Sequence, residues 1–217
     1  MVSSCPVTGL LAVVAAVVVA WFAAGTFHNV RKGSAVMRWM QGGLPLLGAR
    51  TTVRWLGTTA VEMSIREAKA PFEQVALIVF MEPRDLPWMW ALSRRGGRRD
   101  TLIIRARLRR PPRIELEALE RGSWSGNDAL RRMPEGEWSV REPSSAGGLP
   151  VWVKAPAAFD RAEDLVALAR RAGMTVRRLS VRRTEPHLQL HVALPSTAAP
   201  AAAFFEAVRA LGERAPA

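Results

Sequence analysis

From Gly9 to Phe27 the chain reads GLLAVVAAVVVAWFAAGTF, 19 residues without a charge, and the uncharged run extends back to Val7. As an α-helix those residues reach roughly 28 Å, which matches the hydrocarbon thickness of a bilayer. The apolarity runs all round the helix instead of along one stripe, and its carboxyl flank is basic, which separates it from the buried helix of a soluble core. A cleaved secretory signal is the rival reading. Such signals start with a positive charge, whereas Met1 to Thr8 has no Lys or Arg, and Trp21 and Phe22 interrupt the small residues ahead of Ala23-Ala24-Gly25. The reading taken is a retained transmembrane helix over residues 7–27, after a short tail of residues 1–6.

Trp21, Phe22 and Phe27 stand near the carboxyl end, where aromatic rings favour the headgroup layer, and Arg31 and Lys32 follow at once. No basic residue precedes the run, and no acid occurs before Glu62, so Arg31, Lys32, Arg38 and Arg50 are uncompensated locally. The positive-inside rule then predicts a single-pass protein of the cell membrane with its N-terminus outside and its body cytosolic. Residues 28–50 read as a basic juxtamembrane linker. Arg31, Lys32 and Arg38 beside Trp39 suit the lipid interface, and an ordinary linker is the equal alternative.

The charge needs its source examined before it is assigned a partner. The net charge is +12, with 31 Lys+Arg against 19 Asp+Glu, and lysine occurs only at Lys32, Lys69 and Lys154. Arginine in a chain this rich in Ala, Gly and Pro is what a GC-rich coding sequence yields whatever the function, so part of the charge is compositional. Uneven placement is a different matter: Ser93 to Arg113 holds nine arginines and the single acid Asp100.

Residues 51–195 read as one α+β domain with a mainly antiparallel sheet and at least two packed helices. Thr51 to Lys69 alternates as a strand, with Val61, Met63 and Ile65 on one face. After a turn at Ala70-Pro71, Val75 to Met81 suits a central strand. Leu86-Pro87-Trp88-Met89-Trp90, with Leu92, Arg94 and Arg95, reads as a short amphipathic turn against a membrane or a protein, or as a lid over the core. Thr101 to Arg109 is a strand with Leu102, Ile104, Ala106 and Leu108 on one face and Arg105, Arg107 and Arg109 on the other. Ile114 to Glu117 is expected to pair with it, bringing Glu115 and Glu117 to the arginine row as a solvated, ion-paired face.

Residues 122–150 read as an irregular bridge. Beyond it come a strand at Val151 to Lys154 and a helix opened by a capping box, Asp160-Arg-Ala-Glu163, and closed by Gly173. Strands at Met174 to Arg183 and His187 to Leu194 follow, and a C-terminal helix and tail occupy residues 196–217, the helix running from Pro200 to Leu211 with Phe204, Val208 and Leu211 on one side.

Catalytic signatures are absent from the sequence. His187 and His191 in HLQLH are spaced for zinc on a helix, but the alternating Leu188, Leu190 and Val192 make this a strand, where residues four apart stand roughly 13 Å from each other. They read as an exposed polar face. The lone Cys5 excludes an internal disulfide and falls across the membrane from both histidines. Gly122-Ser-Trp-Ser-Gly126 misplaces the serine of a nucleophile elbow, and neither phosphate-binding glycine loop occurs. No cofactor or metal is expected.

Three function classes remain. The first is a membrane-anchored accessory or scaffold protein whose basic domain binds a protein partner and an anionic membrane surface, with contact residues Arg31, Lys32, Arg38, Trp39, Trp88, Trp90, Arg94, Arg95, Arg105 and Arg107. The second is a membrane-tethered nucleic-acid-binding protein, less favoured because no helix-turn-helix, zinc finger or RNP-like strand occurs. The third is an enzyme with a site dispersed along the chain.

Overall fold

The structure, a computed structural model, describes residues 5–143 and 148–216. Residues 1–4 of the expected tail therefore lie outside the described residues, as do residues 144–147 of the expected bridge and Ala217.

Helix α1 spans Cys5–Gln41, 37 residues, or about 55 Å. It is long and apolar enough to cross a membrane, with a mean hydropathy of 2.5 in its apolar window, and every side chain from Val7 to Ala24 is exposed. The segment expected as a linker, 28–50, is helical as far as Gln41 and turns only at Gly42-Gly43 and a 3-10 turn over Leu44–Leu46. Past Phe27 the chain changes from all-round apolarity to one buried stripe, Asn29, Gly33, Val36 and Met40. Spacings of three and four place these residues on one helix face, so the second half of α1 packs onto the domain.

The domain is α+β. Its nine strands are β1 Thr51–Trp55, β2 Ala60–Ile65, β3 Phe72–Phe80, β4 Thr101–Leu108, β5 Leu116–Leu119, β6 Ser139–Arg141, β7 Val151–Val153, β8 Val176–Val181 and β9 Leu188–Ala193. They form one antiparallel sheet in the order β1-β2-β3-β4-β9-β8-β5-β7-β6. The other helices are α2 Pro87–Arg95, α3 Trp124–Arg132, α4 Phe159–Arg171 and α5 Ala201–Arg214. Leu102, Ile104, Ala106 and Leu108 of β4 join Leu188, Leu190 and Val192 of β9 on the core face. Ala162, Leu165, Val166 and Ala169 of α4, Phe204, Phe205, Val208 and Leu211 of α5, and Val36 and Met40 of α1 close that core from above.

Several local expectations are corrected. Thr51–Lys69 is a hairpin of β1 and β2, because Gly57 (φ +82°) turns the chain back. The segment around Leu116 pairs with β7 and β8, and β4 pairs with β3 and β9. The expected bridge 122–150 contains α3, capped by the Ser123 side chain accepting from the Gly126 amide. Asp160 and Glu163 do not cap α4, whose N-cap is Ala158. Both carboxylates instead accept from the Arg141 guanidinium, at 3.0 and 3.1 Å.

Candidate functional site

The face of α1 that meets the domain first is built from residues four apart, Trp21, Gly25 and Asn29, with Lys32 and Gly33 one turn on. The Trp21 indole donates to the Arg84 carbonyl at 2.9 Å. Gly25 lies so close to the backbone of Arg84 and Asp85 that a Cβ there would overlap the Arg84 carbonyl, which is why glycine stands at this crossing. Asn29, fully buried, donates to the Glu82 carbonyl at 3.0 Å and accepts from Arg84 at 3.2 Å.

Asp100 is the hub of this junction. Arg84 grips it with both guanidinium nitrogens (2.9 and 2.8 Å), the Glu82 amide donates at 2.8 Å, and Lys32 of α1 closes an ion pair on Oδ2. Burial alone would raise the Asp100 pKa. The hydrogen bonds from Arg84, Lys32 and the Glu82 amide outweigh it and hold the carboxyl at about 2, so the group is ionised at neutral pH. Nearby, Thr58 in the β1–β2 turn donates to Asp85 at 3.0 Å, tying the hairpin to the same loop.

Helix α2 starts within this loop, with Pro87 in its first turn and Arg94 and Arg95 in its last. Pro87 needs no donor there, and the two cations suit the negative end of the helix dipole. The segment expected as a short amphipathic turn or a lid is a nine-residue helix, and it is not a lid: none of its residues is buried. Trp88, Met89 and Leu92 are 55%, 44% and 66% exposed, while Trp90 turns inward, its ring 6.4 Å from Trp21 and its Nε1 donating to Glu82. On a helix residues 88 and 90 point to different faces, which resolves the two indoles into one anchored and one free. Arg94 lies 5.3 Å over the Trp90 ring.

The residues read from the sequence as contacts thus divide. Trp88, Trp90, Arg94 and Arg95 come together beside the exit of α1. Arg31 and Arg38 are exposed on α1. Lys32 is committed to Asp100, and the Trp39 indole donates to the Ala199 carbonyl at 2.6 Å and meets Phe204 edge-on, ring centres 5.4 Å apart. Arg105 is exposed on β4, whereas Arg107 pairs with Glu73 (2.9 Å) and Glu185 (3.0 Å), not with Glu115 or Glu117. Glu117 is fully buried, bound by Arg178 and Ser180 of β8 and by Arg182 just beyond its end.

His187 and His191 are buried and not exposed; around His191 the sheet face away from the main core is also covered, with α3 against β8 and β5 and its first residues beside the ring. His187 Nδ1 accepts from the Leu108 amide at 3.0 Å. Burial, with the charges of Arg178 and Arg105, takes the His191 pKa down to about 3. Among the described residues no group of three or more His, Cys, Asp or Glu is placed to hold a metal ion. At the opposite end of β3 and β4 from the α1 exit, Pro71, Arg109, Arg110, Pro111 and Arg113, with the single acid Glu213 of α5, line an open, mainly basic hollow.

No protein-family model matches the chain, and no curated protein matches it. Sequence reasoning missed Gly25, Asn29, Glu82 and Arg84. The spacing Trp21-Gly25-Asn29-Gly33 was the available signal: a small and polar stripe entering the end of an apolar run.

Proposed function

We propose that this chain is a single-pass membrane protein whose basic α+β domain is cytosolic, is seated against the anionic bilayer surface, and serves as an accessory or scaffold for a protein partner. One observation carries the reading: the freely exposed part of α1 ends within a collar of exposed apolar side chains, Trp21, Phe22, Trp88, Met89 and Leu92, backed by arginines. From Val7 the hydrocarbon core, about 30 Å thick, uses roughly 20 residues of helix. Its inner boundary then falls near Thr26, level with the Arg84 crossing and α2. The collar stands where indole rings and guanidinium groups favour the headgroup layer. An exposed apolar patch of this kind on a domain that already holds a membrane-length helix is accounted for by lipid. The basic hollow at Arg109, Arg110 and Arg113, a β-strand's length from the collar, is the surface left open to the partner.

Two measurements test this. In a Cys5→Ser background, an environment-sensitive dye on Leu92→Cys is expected to shift to the blue and to be quenched by nitroxide lipids in proteoliposomes, and the same dye on Arg110→Cys is not. Equal, water-like emission from both positions removes the seated-domain reading. For orientation, a reporter fused after Ala217 should report a cytosolic location, since the basic residues flank the carboxyl side of the helix. Cleavage of the folded domain by protease added to intact cells would reverse it.

A further inference from the structure

A narrow crevice opens beside the C-terminal end of α2, lined by Phe80, Glu82, Gly97, Arg98 and Arg99 on one side and by Ser123, Trp124 and Ser125, the start of α3, on the other, with Arg177 and His191 among its walls. Its free volume is about 20 Å³, room for one water-sized atom. Two of its lining side chains carry buried nitrogens without a hydrogen-bond partner, Arg177 Nε and His191 Nδ1.

Both nitrogens are donors. The Arg177 guanidinium has no acceptor capacity. Arg177 sits at the irregularity of the β8–β9 ladder, between the paired residues Val176 and Arg178. His191 is 4% exposed, and its Nε2 lies 2.7 Å from the Gln189 amide nitrogen. An amide nitrogen only donates, so Nε2 accepts and the ring proton of the neutral imidazole stands on Nδ1. Unpaired buried donors are uncommon, and two of them lining one crevice at the positive end of a helix dipole ask for an acceptor. Glu82, the acid in the wall, does not supply one. Neither donor bonds to it, and its Oε2 accepts from the Trp90 indole and lies 3.6 and 3.9 Å from the Arg84 and Arg94 guanidiniums.

We propose that this crevice is an oxyanion site that admits one phosphate oxygen of an anionic lipid headgroup, with Arg177, His191 and the Ser125 amide at the start of α3 holding the oxygen and Arg98 and Arg99 flanking the rest of the phosphate at the mouth. The Arg98 guanidinium is already pre-set there, 5.2 Å over the Trp124 ring and 5.7 Å over Phe80, so little freedom is lost on binding. The choice of a lipid over a free phosphate rests on the seated domain proposed above, since Glu82 in the crevice wall is also the residue whose carbonyl Asn29 of α1 binds.

Full-length protein in a neutral detergent tests the site without depending on that seating. Dihexanoyl phosphatidic acid, dihexanoyl phosphatidylcholine and inorganic phosphate are titrated while the melting temperature is followed. Phosphatidic acid is expected to raise the melting temperature saturably and phosphatidylcholine not to. Arg177→Met should weaken that binding about tenfold, the loss of a charge-assisted hydrogen bond, and Arg110→Gln, in the hollow at the far end of β4, should leave it unchanged. Arg177 is half-buried, so the variant's unliganded melting curve shows directly that it folds. His191→Phe, which removes the other donor, is expected to weaken binding in parallel. Inorganic phosphate binding as tightly as the lipid, with the same sensitivity to Arg177→Met, overturns the lipid source. Wild-type affinity in Arg177→Met, or no response to either phosphate, overturns the site itself, whatever the Leu92 probe reports about the bilayer.

Discussion

Glu117→Ala is expected to destabilise the domain by about 3 to 5 kcal/mol, the cost of removing a buried carboxylate and leaving two part-buried guanidinium groups without their counter-ion. Glu117 is fully buried on β5. Arg178 binds it through two nitrogens at 3.0 and 2.9 Å, Arg182 through two more at 3.0 and 2.7 Å, and the Ser180 hydroxyl donates at 2.7 Å. Removing the carboxylate strands two guanidinium groups and a hydroxyl in one step. Denaturant unfolding in detergent measures the loss. Arg121→Gln gives the contrast: its ion pair with Glu142 joins two exposed side chains, 59% and 56% accessible, and exposed pairs of this kind contribute about 0 to 1 kcal/mol. Similar losses for the two variants would refute the assignment of Glu117 as a buried hub.

Asp100→Ala is expected to cost a comparable amount, again about 3 to 5 kcal/mol, but through the seam between α1 and the domain. Its side chain is 10% exposed and joins Lys32 of α1 to Arg84 of the loop. The acid dependence has a definite sign. The folded carboxyl titrates at about 2, below its ordinary value of 3.8, so the stabilisation is fully present above roughly pH 4 and is lost as the pH falls toward 2. The amplitude is about 2 kcal/mol, from 1.36 kcal/mol per pKa unit with a discount for partial exposure. Asp100→Asn should flatten that acid arm while changing the neutral-pH shape little. An unchanged acid titration of stability in Asp100→Asn would place the pH dependence elsewhere.

These two carboxylates also mark what a single sequence exposes and what it hides. Local periodicity sufficed for β3, β4, β8, β9, α4 and α5, since each carries its own alternating or helical stripe of large apolar side chains. It failed for α3, whose buried residues are Ser125, Gly126 and Ala129, too small to register as a hydrophobic face. It located β9 but misjudged its second face, since alternation was taken to mean one wet side, whereas α3 covers that side and His191 is buried. Charge complementarity misplaced Glu117: many arginines stood within reach of the argument, and only the sheet order decides that β8 and not β4 lies alongside. Of the candidate site, the Trp88 to Arg95 cluster was legible because its composition is local. The junction that holds it was not, because Lys32 meets Asp100 across 68 positions and Asn29 meets Glu82 across 53.

The unbroken passage of α1 from its exposed apolar half into the domain has a mechanical meaning. A flexible tether over residues 28–50 would let the body wander by roughly 26 Å from its anchor. Here Gly25, Asn29 and Lys32 clamp the shaft, so in the bilayer proposed above the tilt of the helix is the tilt of the domain. A change in lipid thickness that leans α1 by a few degrees would swing the arginine hollow at the far end of β4 along an arc, as the tip of a lever follows its handle, and a partner waiting at that height would meet the protein in one orientation only.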